Sequence, residues 1–281
     1  MPRKILISLA AAAVLVLAGA STGCKKLEAR DNLNKGVQAF KNAKYADAVE
    51  FFKRAIELDP TYPTAKLYLA TAYMSQYIPG AESPENLSFA ENAAKYFMEV
   101  LNEDPNNTTA IKSLASLAYQ QSSGAPTTEE KLARLDKAAE WNRRLAQVNP
   151  QEKEAYYSLG VIAWAKFYPV WMSTRNKLGM KPDEPGPLKD KKVRTELREK
   201  HMAMIEDGIQ NLKKALEIDP EYDDAMAYLN LLHRERADLH DDPAAYKKDI
   251  DEADMWINKT LETRKIKAER QPKSTGIVSE E

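Results

Sequence analysis

Residues Gly36 to Pro60 read GVQAFKNAKYADAVEFFKRAIELDP. Two short helices packed face to face account for this stretch. Gly36 and Ala48 carry almost no side chain, so the helices can approach closely there. Phe52 fills the space beyond them, and Ala55 keeps the next turn small. Asp59-Pro60 ends the second helix, because proline lacks an N–H and clashes with the preceding turn. One such hairpin cannot bury its apolar face alone, so units must stack. The stop recurs as Asp104-Pro105, Asn149-Pro150 and Asp219-Pro220. The first-helix pattern recurs as Leu69-Ala70 with Tyr73, Leu114-Ala115, Leu159-Gly160 and Leu229-Asn230. The small residue of the second helix recurs as Ala93, Ala138, Gly208 and Ala253. Five units follow, over 31–60, 63–105, 108–150, 153–220 and 223–264.

With Gly36 counted as position 8 of its unit, Ala48, Phe52, Ala55 and Pro60 fall at positions 20, 24, 27 and 32. This resembles the tetratricopeptide repeat, with small residues at 8, 20 and 27, an aromatic at 24 and a proline at 32. The resemblance implies an all-α chain. It would be a right-handed α-solenoid of about five helix hairpins over 31–264, the fourth with a large insertion. Two departures stand out. Asn142 occupies a slot where the third unit calls for a bulky apolar residue, with Trp141 one place early. The fifth unit has no closing proline, as expected of a terminal cap.

Composition narrows the function classes. The 281 residues carry 41 basic and 42 acidic side chains, and residues 1–23 contain only Arg3 and Lys4 among them. No basic excess or aromatic-interleaved basic stripe points to nucleic acid. One cysteine cannot form an internal disulfide framework. His233 and His240 share a helix face beside Asp241 and Asp242, but no metal-ligand spacing is present. No Gly-rich phosphate loop or Gly-x-Ser-x-Gly elbow occurs. The expectation is a non-enzyme without metal or cofactor.

The amino terminus reads as an export signal over 1–23. Arg3-Lys4 precede an apolar run from Ile5 to Ala20, short of the roughly 20 residues that a spanning helix needs. Ser21-Thr22-Gly23-Cys24 resembles a bacterial lipobox, with serine where leucine is usual. That resemblance implies acylation of Cys24, and Lys25 in place of aspartate favours the periplasmic face of the outer membrane. Cleavage after Ala20, giving a soluble periplasmic protein, is the rival. Residues 24–30 are then an anchor and short linker, and 265–281 a disordered tail without apolar periodicity.

The stop prolines Pro60, Pro105 and Pro150 fall 45 residues apart, against about 34 for a plain repeat. Ser83-Pro84, Thr127-Thr128 and Asp242-Pro243 look like N-caps. They predict second helices that start two turns early, near 20 residues against about 14 for the first helices. Pro150 to Pro220 spans 70 residues. In this fourth unit the first helix is expected to break or kink at Tyr168-Pro169, with a short segment at Val170–Leu178, a proline-rich loop at Lys181–Pro187 and a long helix at Asp190–Glu217. Trp171 and Met172 either project to contact a partner or fold back onto the array.

In the repeat family the first helices line a concave groove. The resemblance places Phe40, Met74, Tyr119, Tyr157 and Trp164 there, a ladder suited to an extended peptide or amphipathic helix. The Lys/Asn/Arg clamp that some members use for a terminal carboxylate is absent. The expected function is an exported, lipid-anchored scaffold that binds protein partners of the cell envelope and meets the membrane through lipid on Cys24. Its architecture is similar to the repeat lipoproteins of envelope machines. Alternatives are a periplasmic small-ligand-binding protein or enzyme with a pocket near the unit-four insertion, or a passive structural lipoprotein.

Overall fold

A computed structural model describes residues 24–181 and 184–270. The expected signal segment and residues 271–281 lie outside the described residues. Every regular element among those described is an α-helix. The helices are α1 (24–41), α2 (Tyr45–Leu58), α3 (Pro63–Met74), α4 (Pro84–Glu103), α5 (Thr108–Ser123), α6 (Thr128–Val148), α7 (Lys153–Lys177), α8 (Lys191–Ile218), α9 (Asp223–Ala237) and α10 (Pro243–Arg270). They form two compact units, one ending at Arg134 and one beginning at Leu135, with the boundary inside α6. No helix among the described residues is long and apolar enough to cross a membrane.

The stop signals share one geometry. Asp59 Oδ1 accepts the amide of Thr61 at 3.1 Å, Asp104 Oδ1 that of Asn106 at 3.3 Å, Asn149 Oδ1 that of Gln151 at 3.2 Å and Asp219 Oδ1 that of Glu221 at 3.0 Å. One residue further on, the amides of Tyr62, Asn107, Glu152 and Tyr222 donate to the carbonyls of the same four residues. Asp or Asn before Pro therefore builds a turn in which the side chain and the carbonyl of its first residue both accept amides. The helix starts are set the same way. Ser83 Oγ accepts from Asn86 N at 3.2 Å, Thr127 Oγ1 from Glu130 N at 3.1 Å, and the Asp242 carboxylate from Ala244 N and Ala245 N at 3.1 and 3.2 Å. Hence α4 and α6 run 20 and 21 residues, against 12 for α3 and 16 for α5.

Small residues sit where helices touch. A Cβ on Gly36 would lie 2.6 Å from Phe52 Cδ1, and one on Gly208 would lie 2.6 Å from Ala163 Cβ. In the first unit Ala48, Phe52, Ala93 and Phe97 are all within 1% of complete burial. Asn142 does take the core slot of its helix, where its Nδ2 donates to Ala138 O at 2.9 Å. Trp141 lies beside it between the cations of Lys137 and Arg144, each 5.4 Å from the ring centre.

Three expectations change. Residues 24–30 are the opening turns of α1, not a linker. Lys-Lys-Leu-Glu-Ala-Arg are helix formers, and Ala29 is completely buried. Residues 265–270 continue α10, because Lys267 pairs with Asp223 and Arg270 with Glu221 at 2.5 and 2.7 Å. Pro169 does not end α7, which runs unbroken over 25 residues. A helix-interior proline costs about 3 kcal/mol. It is tolerated here because Phe167, Trp171 and Arg175 anchor both sides of it in the core.

Candidate functional site

The aromatic side chains of α7, of α9 and of Tyr222 in the turn before α9 form one continuous ladder in the second unit. Tyr222 packs on Tyr157 with ring centres 4.9 Å apart, Tyr157 on Tyr228 at 5.7 Å, and Tyr228 edge-on to Trp164 at 5.4 Å. Trp164 then stacks on Tyr168 at 4.9 Å, and Tyr168 meets Trp171 at 5.9 Å. Tyr157, Trp164, Tyr168 and Trp171 follow helical spacing along α7, so their rings emerge on one stripe. A cation closes each end: Lys153 Nζ lies 4.8 Å from the Tyr222 ring and the Arg175 guanidinium 5.1 Å from Trp171. Tyr168 is 36% exposed, while the neighbouring rungs are half-buried against the core.

Arg175 explains why the insertion of the fourth unit turns inward. It is 2% exposed, and its Nη1 pairs with the Asp238 carboxylate. Its Nη2 donates to Lys181 O at 2.7 Å and to Glu184 O at 2.6 Å. Trp171 Nε1 donates to Asp238 Oδ2 at 2.7 Å, and the amide of Leu188 donates to Asp238 O at 3.1 Å. Met180 and Leu188 are buried with Phe167. Trp171 is thus held back onto the array rather than projecting, with Met172 half-buried on the same helix.

The charged groups below the ladder are strongly biased. Burial pushes the Glu235 carboxyl well above the usual carboxylate range, the Trp164 indole pulls it down, and Asp238 adds to the rise. Burial also raises Asp238, opposed by Trp171 and Arg175. The Tyr222 phenol is raised by burial and by its 2.6 Å hydrogen bond to Glu154 Oε2. Asp249 behaves oppositely. Burial alone would raise it, but His233 Nδ1, the Arg236 guanidinium and His240 Nε2 all converge on its carboxylate and hold it below the usual range. His233 and His240 therefore meet through Asp249 of α10, not through Asp241 or Asp242. Arg236 supplies the cation, and the cluster ties α9 to α10. Asp241 instead binds Arg194 and Arg198 of α8, each at 2.9 Å.

Of the expected groove residues, the structure brings Tyr157 and Trp164 into the ladder, where they are joined by Trp171 of the fourth-unit insertion. Phe40, Met74 and Tyr119 belong to the first unit and are half-buried. Phe40 packs edge-on to Tyr45 at 5.1 Å, and burial raises the Tyr119 phenol. Among the described residues no ring contact joins Phe40 to Tyr119. Cys24 is exposed at the first described residue of α1. Sequence reasoning missed Tyr168, Tyr222, Tyr228, Glu235 and Arg175. Tyr168 was within reach, lying four residues after Trp164 and three before Trp171. Tyr222 and Tyr228 join only through packing of α9 on α7.

Solved structures place this architecture. The crystal structure of MamA superposes with a TM-score of 0.54 at 16% identity, covering 83% of this chain and 96% of that one. Residues 41 to the end of MamA from Desulfovibrio magneticus RS-1 give 0.51 at 16% identity, covering 85% and 96%. The fold is that of the tetratricopeptide repeat. YrrB, described as a TPR protein with an unusual peptide-binding site, gives 0.49 at 15% identity over 85% of this chain and 91% of its own. The family model of the plant-specific mitochondrial import receptor subunit TOM20 matches residues 36–164, less than half of the chain. No curated protein sequence matches it. Within this repeat fold, α7 and α9 correspond to first helices of successive hairpins, and of the ladder only Tyr157 and Trp164 stand at positions that the repeat resemblance assigns to a groove.

Proposed function

We propose that the chain is an exported, lipid-anchored tetratricopeptide-repeat scaffold that binds a protein or peptide partner at the bacterial envelope. The observation that carries this reading is the aromatic ladder on α7 and α9, with Tyr168 open to solvent. Aromatic rungs give large contact area at low entropic cost, and they are enriched among residues that dominate binding energy. The mechanism is binding without catalysis, metal or cofactor. Anchoring rests on the sequence: Arg3-Lys4, the apolar run, and Cys24 in a lipobox-like setting. Lys25 supports the periplasmic face of the outer membrane. Lipid on Cys24 would lead directly into α1, and confinement to the surface raises the effective concentration of membrane partners.

Two measurements test this. Cys24→Ala should move the protein from the membrane to the soluble fraction; unchanged membrane association removes the anchor. A photoreactive phenylalanine analogue at position 168 should cross-link one stoichiometric envelope protein in native membranes. Capture that persists at equal yield from a control position on the outer face of α10, such as Lys247, removes the ladder as the binding surface.

A further inference from the structure

An open recess lies between α8 and α10, with the first turn of α9 between them. It encloses about 350 Å³, and no rung of the aromatic ladder lines it. Leu216 of α8, Met226 of α9 and Trp256 of α10 give it an apolar floor, beside which Thr263 Oγ1 donates to Met226 Sδ at 3.7 Å. Pro220 stands at one end, next to Glu221, which pairs with Arg270 at 2.7 Å. The last described residue of α10 is therefore held at the mouth of the recess. From that mouth inward α10 presents Ile266, which is 37% exposed, then Glu262, Lys259 and Trp256. Lys259 Nζ lies 4.7 Å from the centre of the Trp256 ring. Lys213 stands one turn before Leu216 on the same side of α8. Among the described residues no carboxylate pairs with either lysine.

We propose that this recess seats the chain's own continuation, with Ile277 and Val278 over Leu216, Met226 and Trp256. Residues 271–281 read QPKSTGIVSEE. Ile277 and Val278 are the only branched aliphatic side chains in that stretch, and Pro272 lacks the N–H that a further helical turn would use. Ile277 follows Arg270 by seven positions, which reach up to roughly 24 Å. Thr263 and Trp256 lie about 10 and 21 Å back along α10 by helical rise. A segment returning antiparallel to α10 can thus lay its aliphatic pair on the floor. Its charges come in matching order: Lys273 enters first, toward Glu262, and Glu280 and Glu281 come last, toward Lys259 and Lys213. A second copy carries the same segment, but a tether this short gives the chain's own segment an effective concentration of about millimolar. The inference does not depend on the ladder being a binding face.

The test uses the full chain with Cys24→Ala, so that only introduced cysteines react. In Ile277→Cys with Thr263→Cys, mild oxidation with copper phenanthroline should close a disulfide within one chain about tenfold faster than in Ile277→Cys with Leu261→Cys. Leu261 lies at a similar height on α10 but is 60% exposed and outside the recess. Equal rates in the two pairs, or a position-263 disulfide that joins two chains, overturns the proposal. A second readout needs no cysteine. Of the four indole N–H resonances, that of Trp256, assigned by its loss in Trp256→Phe, should move alone when Ile277→Ser and Val278→Ser are combined. Those changes leave every described residue as it is, and an unmoved Trp256 resonance overturns the proposal equally.

Discussion

Glu235 shows how one side chain can be set by its surroundings against its ordinary chemistry. A glutamate at the thirteenth position of a repeat looks like a surface residue, but packing of α9 on α7 buries it. Its folded pKa is raised, so the folded protein keeps a proton that the unfolded chain releases above about pH 4.3. Its contribution to stability is whole below that pH and declines as pH rises toward the folded value. Glu235→Gln should therefore match the parent protein at pH 4 and exceed it at pH 8, read as denaturant midpoints. A Gln variant that is less stable at pH 8 would contradict the buried-acid reading. Asp249 carries the opposite sign. With His233, Arg236 and His240 all donating to it, its stabilising contribution holds at neutral pH and is lost only in strong acid.

At the scale of the element, close approach and anchoring decide the geometry. Gly160 lets α7 lie against α8, where an added Cβ would stand 2.6 Å from Leu212 Cδ2. Alanine raises helix propensity by about 1 kcal/mol, but overpacking typically costs about 1–3 kcal/mol. Gly160→Ala should thus lower stability by up to about 2 kcal/mol, checked by urea unfolding, and Leu212→Val in the same chain should recover part of the loss. The passage of α7 through Pro169 depends on Arg175 and Trp171 beyond it. Arg175→Met leaves Asp238 buried without its cation and frees the carbonyls of Lys181 and Glu184. It should cost about 3–5 kcal/mol, and limited proteolysis should then cut near Lys181 and Lys189. Resistance equal to the parent protein would show that Arg175 does not hold the loop.

For the whole molecule, binding and stability should separate along the ladder. Tyr168 is the rung most open to solvent, so Tyr168→Ala should change folding stability by less than about 1 kcal/mol. It should weaken partner binding about tenfold. Trp164 packs against the core of the second unit, so Trp164→Ala should cost about 3–5 kcal/mol. Chemical denaturation and a binding titration on the same samples decide this, and a large stability loss at Tyr168 would make the ladder a core seam rather than a face.

The sequence by itself determined the all-helical repeat, its four Asp/Asn-Pro stops and the early starts of its second helices. Those signals are local: a proline removes one N–H, an Asp or Asn accepts an amide two residues on, and a Ser or Asp caps the following turn. Four Asp/Asn-Pro turns and the caps at Ser83, Thr127 and Asp242 could be read without knowing any partner. Two of the six rungs were legible as well, because Tyr157 and Trp164 follow the helical period. Only the tertiary structure decided that α7 passes through Pro169, that the insertion closes around Arg175, and that Tyr222 and Tyr228 complete the ladder above a buried Glu235. Each of these depends on a contact between side chains roughly 60 or more residues apart, as in the Arg175–Asp238, Trp171–Asp238 and Trp164–Tyr228 pairs. Periodicity along one helix carries no information about which acid on another helix will meet it.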